Sequence, residues 1–171
     1  LPHLVQLVER VEEAILRFFF AAEKLYVVND ENIHAPIKRR ELVDAVALCQ
    51  HRGMALRVDW VGRVDDVAEA DAVKRRVIAR GLERCWVWRG ERRDVAGCLQ
   101  GCDALIAPSL WEGLPNVVCE ALASGVPVLA SAVADNSRLV PDGERGFLFT
   151  PEDPGAIAGA IERFVSLPLT E

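Results

Sequence analysis

Apolar and polar positions alternate along the chain between short apolar runs and stripes at helical spacing. Leu4, Leu7, Val8, Val11, Ile15, Phe18 and Phe19 lie on one stripe, which predicts an amphipathic helix over residues 4–20. Leu25 to Val28 then reads as a first strand, followed by a polar loop from Asn29 to Pro36. Lys38-Arg39-Arg40 opens a helix that buries Leu42, Ala45, Val46 and Cys49 and stops at Gly53. Leu56 to Val61 is a second strand, with an acidic, solvated connection from Asp65 to Asp71. A helix is expected from about Asp71 to Arg80, with Val73, Val77 and Ile78 inward. Cys85 to Trp88 is a third strand, and Asp94 caps a short helix through Cys102.

Further on, Ala104 to Ala107 is a buried strand bounded by Pro108. A turn with Gly113 and Pro115 leads to a helix over about 116–124, whose Val117, Val118, Ala121 and Leu122 share a face. Gly125 ends it, Val126 to Ala130 is a strand, and Ser131 to Asn136 a loop. Pro141-Asp142-Gly143 is a turn before the strand Gly146 to Phe149. Asp153 then caps a closing helix that starts with Pro154 and buries Ile157, Ile161, Phe164 and Val165. Strands alternating with helices about six times predict an α/β fold: a Rossmann-like, doubly wound parallel sheet of about six strands with helices on both faces. Ligands of such sheets bind at the carboxyl ends of the strands.

Composition narrows the function. With 51% hydrophobic residues the 171-residue chain can bury a substantial core. No apolar run reaches the ~20 residues of a membrane span. Charges at Glu9, Arg10, Glu12, Glu13 and Arg17 break up the first 20 residues, so they are not a signal peptide. The first residue is Leu1, which suggests a fragment or a processed chain. A net charge of −6 weighs against nucleic-acid binding but allows a small anion at a local basic pocket. The five cysteines (Cys49, Cys85, Cys98, Cys102, Cys119) hold no Cys-x-x-Cys pair and read as reduced core residues of a cytosolic protein. His3, His34 and His51 have no neighbours suited to a metal site.

Candidate chemistry concentrates in residues 109–127. N–H groups in a glycine turn and at a helix start favour an anion such as phosphate. Glu112 stands at the mouth of that loop and Glu120 one turn into the helix. A carboxylate is a poor phosphate ligand but a good acceptor from hydroxyls. Two carboxylates flanking an anion site therefore suit a ligand with hydroxyls on both sides of its phosphates, the shape of a nucleotide-sugar. A plain strand-helix-strand crossover with a solvated glutamate pair is the alternative.

Glu112 and Glu120 have seven residues between them, within Pro108-Ser109-Leu110-Trp111-Glu112-Gly113-Leu114-Pro115-Asn116 and on through Glu120-Ala121 to Gly125-Val126-Pro127. This stretch resembles the Glu-x7-Glu signature of retaining glycosyltransferases of the GT-B fold, family 4, and the resemblance runs over residues ~25–165. It implies a donor-binding Rossmann-like domain over 25–171, with 1–24 as a helix or connection preceding it. It also implies that Glu120 holds ribose hydroxyls, that Glu112 approaches the transferred sugar, and that Gly113, Leu114, Pro115 and Asn116 bind sugar hydroxyls and phosphate. Lys38 would neutralise the diphosphate leaving group, without a metal or other cofactor. Its alternative is a solvated cation at a helix start.

The loop after the third strand would lie against the nucleotide base, so Arg89, Arg92 and Arg93 would offset the donor's charge; pairing with acidic surface groups is the alternative. Asn136 is a further candidate in the loop near the donor pocket. In the resembled family an Arg precedes the Lys, whereas Asn32 and Ile33 stand there in this chain. The partners implied are a nucleotide-sugar donor and an acceptor sugar, lipid or small molecule bound through an N-terminal domain. The location implied is the cytoplasm, with any membrane contact made by that missing domain. Two rival readings are a sugar-nucleotide epimerase of the same architecture and a non-catalytic nucleotide-sugar-binding module, the latter favoured by the departure at Asn32. A dinucleotide dehydrogenase is disfavoured, because no Gly-x-Gly-x-x-Gly follows the first strand.

Overall fold

The computed structural model describes residues 23–28, 39–62, 67–110, 115–133 and 135–167. The expected helix over 4–20 lies outside them, as do Lys38, Glu112, Gly113 and Leu114. Six strands form one sheet: β1 (Glu23–Val28), β2 (Leu56–Val61), β3 (Trp86–Gly90), β4 (Ala104–Ala107), β5 (Val128–Ser131) and β6 (Gly146–Phe149). Helices α1 (Arg39–His51), α2 (Val67–Ala79), α3 (Val95–Gln100), α4 (Asn116–Ala123), α5 (Asn136–Leu139) and α6 (Pro154–Val165) alternate with them.

Every ladder is parallel, and the strand order is β3-β2-β1-β4-β5-β6. The chain thus winds outward one way from β1 and the other way from β4. Those two strands, paired Leu25 to Ala104 through Val27 to Ile106, form the switch point where such sheets open a crevice.

Both faces of the sheet are covered, as a parallel sheet requires. Alternation within single strands shows it. Ala104 and Ile106 of β4 and Leu129 of β5 join a core with α1, α2 and α6. Leu105, Ala107, Val128 and Ala130 point the other way, into a core with Val117, Val118 and Ala121 of α4 and Leu99 of α3. Each fully buried Leu or Ile contributes about 1.5–3 kcal/mol. On the first face Trp60, Trp86 and Trp88 form an aromatic stack, with centroids 5.7–6.0 Å apart.

Element limits follow the sequence pattern at β2, β4 and β6 and at the starts of α3, α4 and α6, and depart from it at several other points. Helix α2 starts at Val67, inside the stretch expected to be a solvated connection. Glu69 in its first turn is a favourable charge at a helix N-terminus rather than a loop signal. Its buried stripe is Ala70, Val73 and Val77, and Ile78, expected inward, is 61% exposed because it lies a quarter turn off that stripe. Strand β3 extends to Gly90 and so contains Arg89, which the pattern put in a loop. Strand β5 starts at Val128, not Val126, and the expected loop ends in the one-turn helix α5.

Candidate functional site at the switch point

Strand β4 ends at Ala107, and Pro115 re-enters the described chain as the N-cap of α4. A proline at the cap offers no side-chain acceptor, and none bonds to the helix start. The first bond within the helix runs from the Cys119 N–H to the Pro115 carbonyl, 3.1 Å. The N–H groups of Asn116, Val117 and Val118 precede it and carry the partial positive charge of the helix end. Val117, Val118 and Ala121 are buried and set the helix's orientation, so Asn116 and Glu120 share the opposite, exposed face one turn apart. The structure therefore brings together Pro115, Asn116 and Glu120 beyond the end of β4, beside the switch point.

Two buried polar side chains stand where β5 ends and α5 begins. Ser131 and Asn136 are both fully buried, and α5 packs against α4. The Asn136 side-chain amide donates to the Ser131 carbonyl oxygen at 3.0 Å. Asn136 Oδ1 and Ser131 Oγ have no hydrogen-bond partner among the described residues.

Arg89 and Arg92 lie at the same edge of the sheet but at β3, two strands from β1. Arg92 is exposed. Arg89 is tied down: its Nε and Nη2 reach Oδ2 of Asp59 at 3.0 and 2.9 Å. Asp59 Oδ1 takes the Nε of Arg57 at 3.0 Å. Burial pushes the Asp59 carboxyl up, but the bonds from Arg57 and Arg89 outweigh burial and hold it below the usual carboxylate value. Sequence reading missed Asp59. Its signal was a charged pair, Arg57 and Asp59, spaced two apart in an otherwise apolar parallel strand.

A groove of about 510 Å³ lies at the other edge, at the starts of β5 and β6, lined in part by Val126, Pro127, Phe147, Phe164 and Leu167. It is remote from the switch-point crevice, and none of the candidate residues borders it.

A parallel sheet of order 3-2-1-4-5-6, with helices on both faces, defines a Rossmann-like domain. The chain belongs to the family described as glycosyl transferases group 1, whose pattern matches residues 32–166. It is 32% identical over 117 residues to the lipopolysaccharide core biosynthesis mannosyltransferase LpsB of Rhizobium meliloti, covering 64% of this chain and 33% of that protein. Over 74 residues it is 35% identical to the Escherichia coli UDP-Gal:alpha-D-GlcNAc-diphosphoundecaprenol alpha-1,3-galactosyltransferase, covering 43% of this chain and 19% of that protein. The fold is similar to that of Anabaena HepE, solved with UDP-glucose, at a TM-score of 0.76 and 22% identity over 91% of this chain and 43% of that one. The chain thus spans about a fifth to two fifths of the curated relatives it matches. No helix among the described residues is long and apolar enough to cross a membrane.

Proposed function

We propose that the chain is the donor-binding half of a retaining, GT-B-type glycosyltransferase of family 4, moving a sugar from a nucleotide-diphosphate sugar to an acceptor. The observation that supports this best is the open start of α4 with Asn116 and Glu120 on its exposed face, at the switch point of a group 1 domain. The relatives' names fit it: they transfer galactose or mannose, and HepE was solved with UDP-glucose.

In this reading the α4 N–H groups and the segment 113–116 hold the diphosphate and sugar hydroxyls. The Glu120 carboxylate accepts from the ribose hydroxyls, and Glu112 approaches the transferred sugar. As the sugar C1–O bond breaks, its electron pair leaves on the diphosphate, and the Lys38 ammonium meets that charge. Arg89 and Arg92 offset the donor's charge at the base-binding end. No metal or cofactor is assigned. The acceptor sugar, lipid or small molecule is held by a further domain, and the protein works in the cytoplasm, with any membrane contact made through that domain.

Calorimetry with uridine, guanosine and adenosine diphosphates and their sugars tests the reading. The wild-type chain should bind one base class. Glu120→Gln should weaken that binding by about tenfold, the loss of a charged acceptor, with the melting temperature unchanged. Absence of binding to all of them, or full binding by Glu120→Gln, rejects the reading. Transfer to an acceptor by the longer protein separates it from a non-catalytic module.

A further inference from the structure

Asp59 holds two arginines, and they differ in where they sit. Arg57 lies on Asp59's own strand, two residues nearer its start, whereas Arg89 is the last residue but one of β3, at the edge of the sheet where the crevice opens. Arg89 spends its Nε and Nη2 on one oxygen of Asp59, and Arg57 takes the other oxygen. The Nη1 side of Arg89 takes part in none of these bonds, and the side chain is 33% exposed.

Burying a carboxylate is costly, and an ion pair of this kind is weak evidence for a stabilising role, since apolar packing would serve as well. What the arrangement does provide is orientation. A surface arginine loses side-chain freedom when it binds a ligand, but one whose fork is already clamped has little left to lose.

Strand β3 stands two strands from β1, about 10 Å at the usual strand spacing. That is within reach of an elongated ligand whose diphosphate sits at the switch point. We propose that Asp59 is a positioning residue that fixes Arg89 to donate to the base-carrying end of the bound nucleotide. The proposal rests on the donor-binding reading above and gives that site a residue from the interior of β2.

The test is a double-mutant cycle read by calorimetry, with whichever of uridine, guanosine or adenosine diphosphate the wild-type chain binds. Arg89→Gln should weaken binding by about tenfold. Asp59→Asn should weaken it by a similar factor, and the double variant by no more than either alone, because the two act as one unit. Arg57→Gln, which leaves the Arg89 clamp in place, should bind within about twofold of wild type. A merely structural Asp59 would move the melting temperature in both Arg57→Gln and Asp59→Asn without this pattern in affinity.

Wild-type binding by Asp59→Asn, or losses that multiply to about a hundredfold in the double variant, overturns the proposal alone. If Asp59→Asn does not fold, Arg89→Lys decides: it keeps the charge but not the fork and should weaken binding by about fivefold or more. Wild-type affinity in Arg89→Lys would then overturn the proposal. Failure of the wild-type chain to bind any of the three removes both this proposal and the reading it rests on.

Discussion

Arg76 of α2 grips Asp44 of α1 with two parallel bonds, Nε to Oδ1 at 2.8 Å and Nη2 to Oδ2 at 2.5 Å. Arg80, one turn further along the chain, adds its Nε to Oδ1 at 2.8 Å. This clamp joins two helices that pack in the same core on one face of the sheet. Burial pushes the Asp44 carboxyl up, yet Arg76 and Arg80 outweigh it and hold the group below the usual carboxylate value. The shift exists only in the folded state, so its contribution is complete above about pH 4, the unfolded value. It is lost as pH falls through the lower folded value. Asp44→Asn should cost about 1–2 kcal/mol at pH 7. That is a melting temperature lower by roughly 3–6 °C in a chain of this size. The gap between variant and wild type should close as pH falls below 4. A gap that does not narrow at all between pH 4 and pH 2 would show that the clamp is not electrostatic.

Gly146 opens β6 at a φ of +152°, in register with Val128 of β5. A Cβ there would lie 1.8 Å from the Val128 carbonyl oxygen, a backbone atom that cannot turn aside. Gly146→Ala should therefore separate β5 from β6 and cost about 4 kcal/mol or more, among the largest single-residue effects. Gly159, within α6, is the contrast: a Cβ added there meets nothing within 4 Å. Gly159→Ala should raise stability by about 0.5–1 kcal/mol through helix propensity. Thermal unfolding of the two variants against wild type checks both signs.

The fold class was legible because each strand is a short apolar run and each helix a separate stripe, with Gly or Pro between them. Asp153 and Asp94 could be read as caps, and both accept from N–H groups two or three residues on, at 2.8–3.1 Å. Strand order was not legible, since parallel strands buried on both faces carry no local mark of their neighbours. Helix α2 escaped at its start because Glu69 suits a solvated loop and a helix's first turn equally well. The helical placement of Glu120 and Asn116 was legible, because Val117, Val118 and Ala121 leave only the exposed face of α4 for them. Lys38, Glu112, Gly113 and Leu114 lie outside the described residues. Asp59 was hidden because a buried charge is explained by its partners, and Arg89 is 30 residues away.

Asn136 offers a test of the buried polar pair at the end of β5 and the start of α5. Its amide donates to the Ser131 carbonyl, so an ionised carboxylate in its place would face an acceptor with no proton to give. Asn136→Asp should cost about 2–4 kcal/mol at pH 7. A buried, unpaired Asp has its folded pKa raised, so the penalty should shrink as pH falls through that raised value and the protonated group can donate again. Unfolding measured from pH 8 to pH 4 should show the variant approaching wild type on the acid side. A penalty independent of pH would mean that the side chain has turned away from Ser131.

Lys38 immediately precedes Arg39, the first residue of α1, and α1 follows β1 at the switch point. A cation at a helix start is mildly unfavourable unless an anion is near, because the helix end is itself positive. On the proposed reading that anion is the departing diphosphate, whose charge grows as the sugar leaves. A positive group that meets charge developing in the transition state contributes about 3–4 kcal/mol. Lys38→Ala in the longer enzyme should therefore lower kcat by about a hundredfold or more, with donor KM changed much less. Lys38→Arg, which keeps the charge, should retain most of the rate. Without an anion nearby, removing the cation would instead stabilise the helix start by a few tenths of a kcal/mol and leave turnover intact. Steady-state rates of the two variants against wild type, with their melting temperatures, decide between these outcomes.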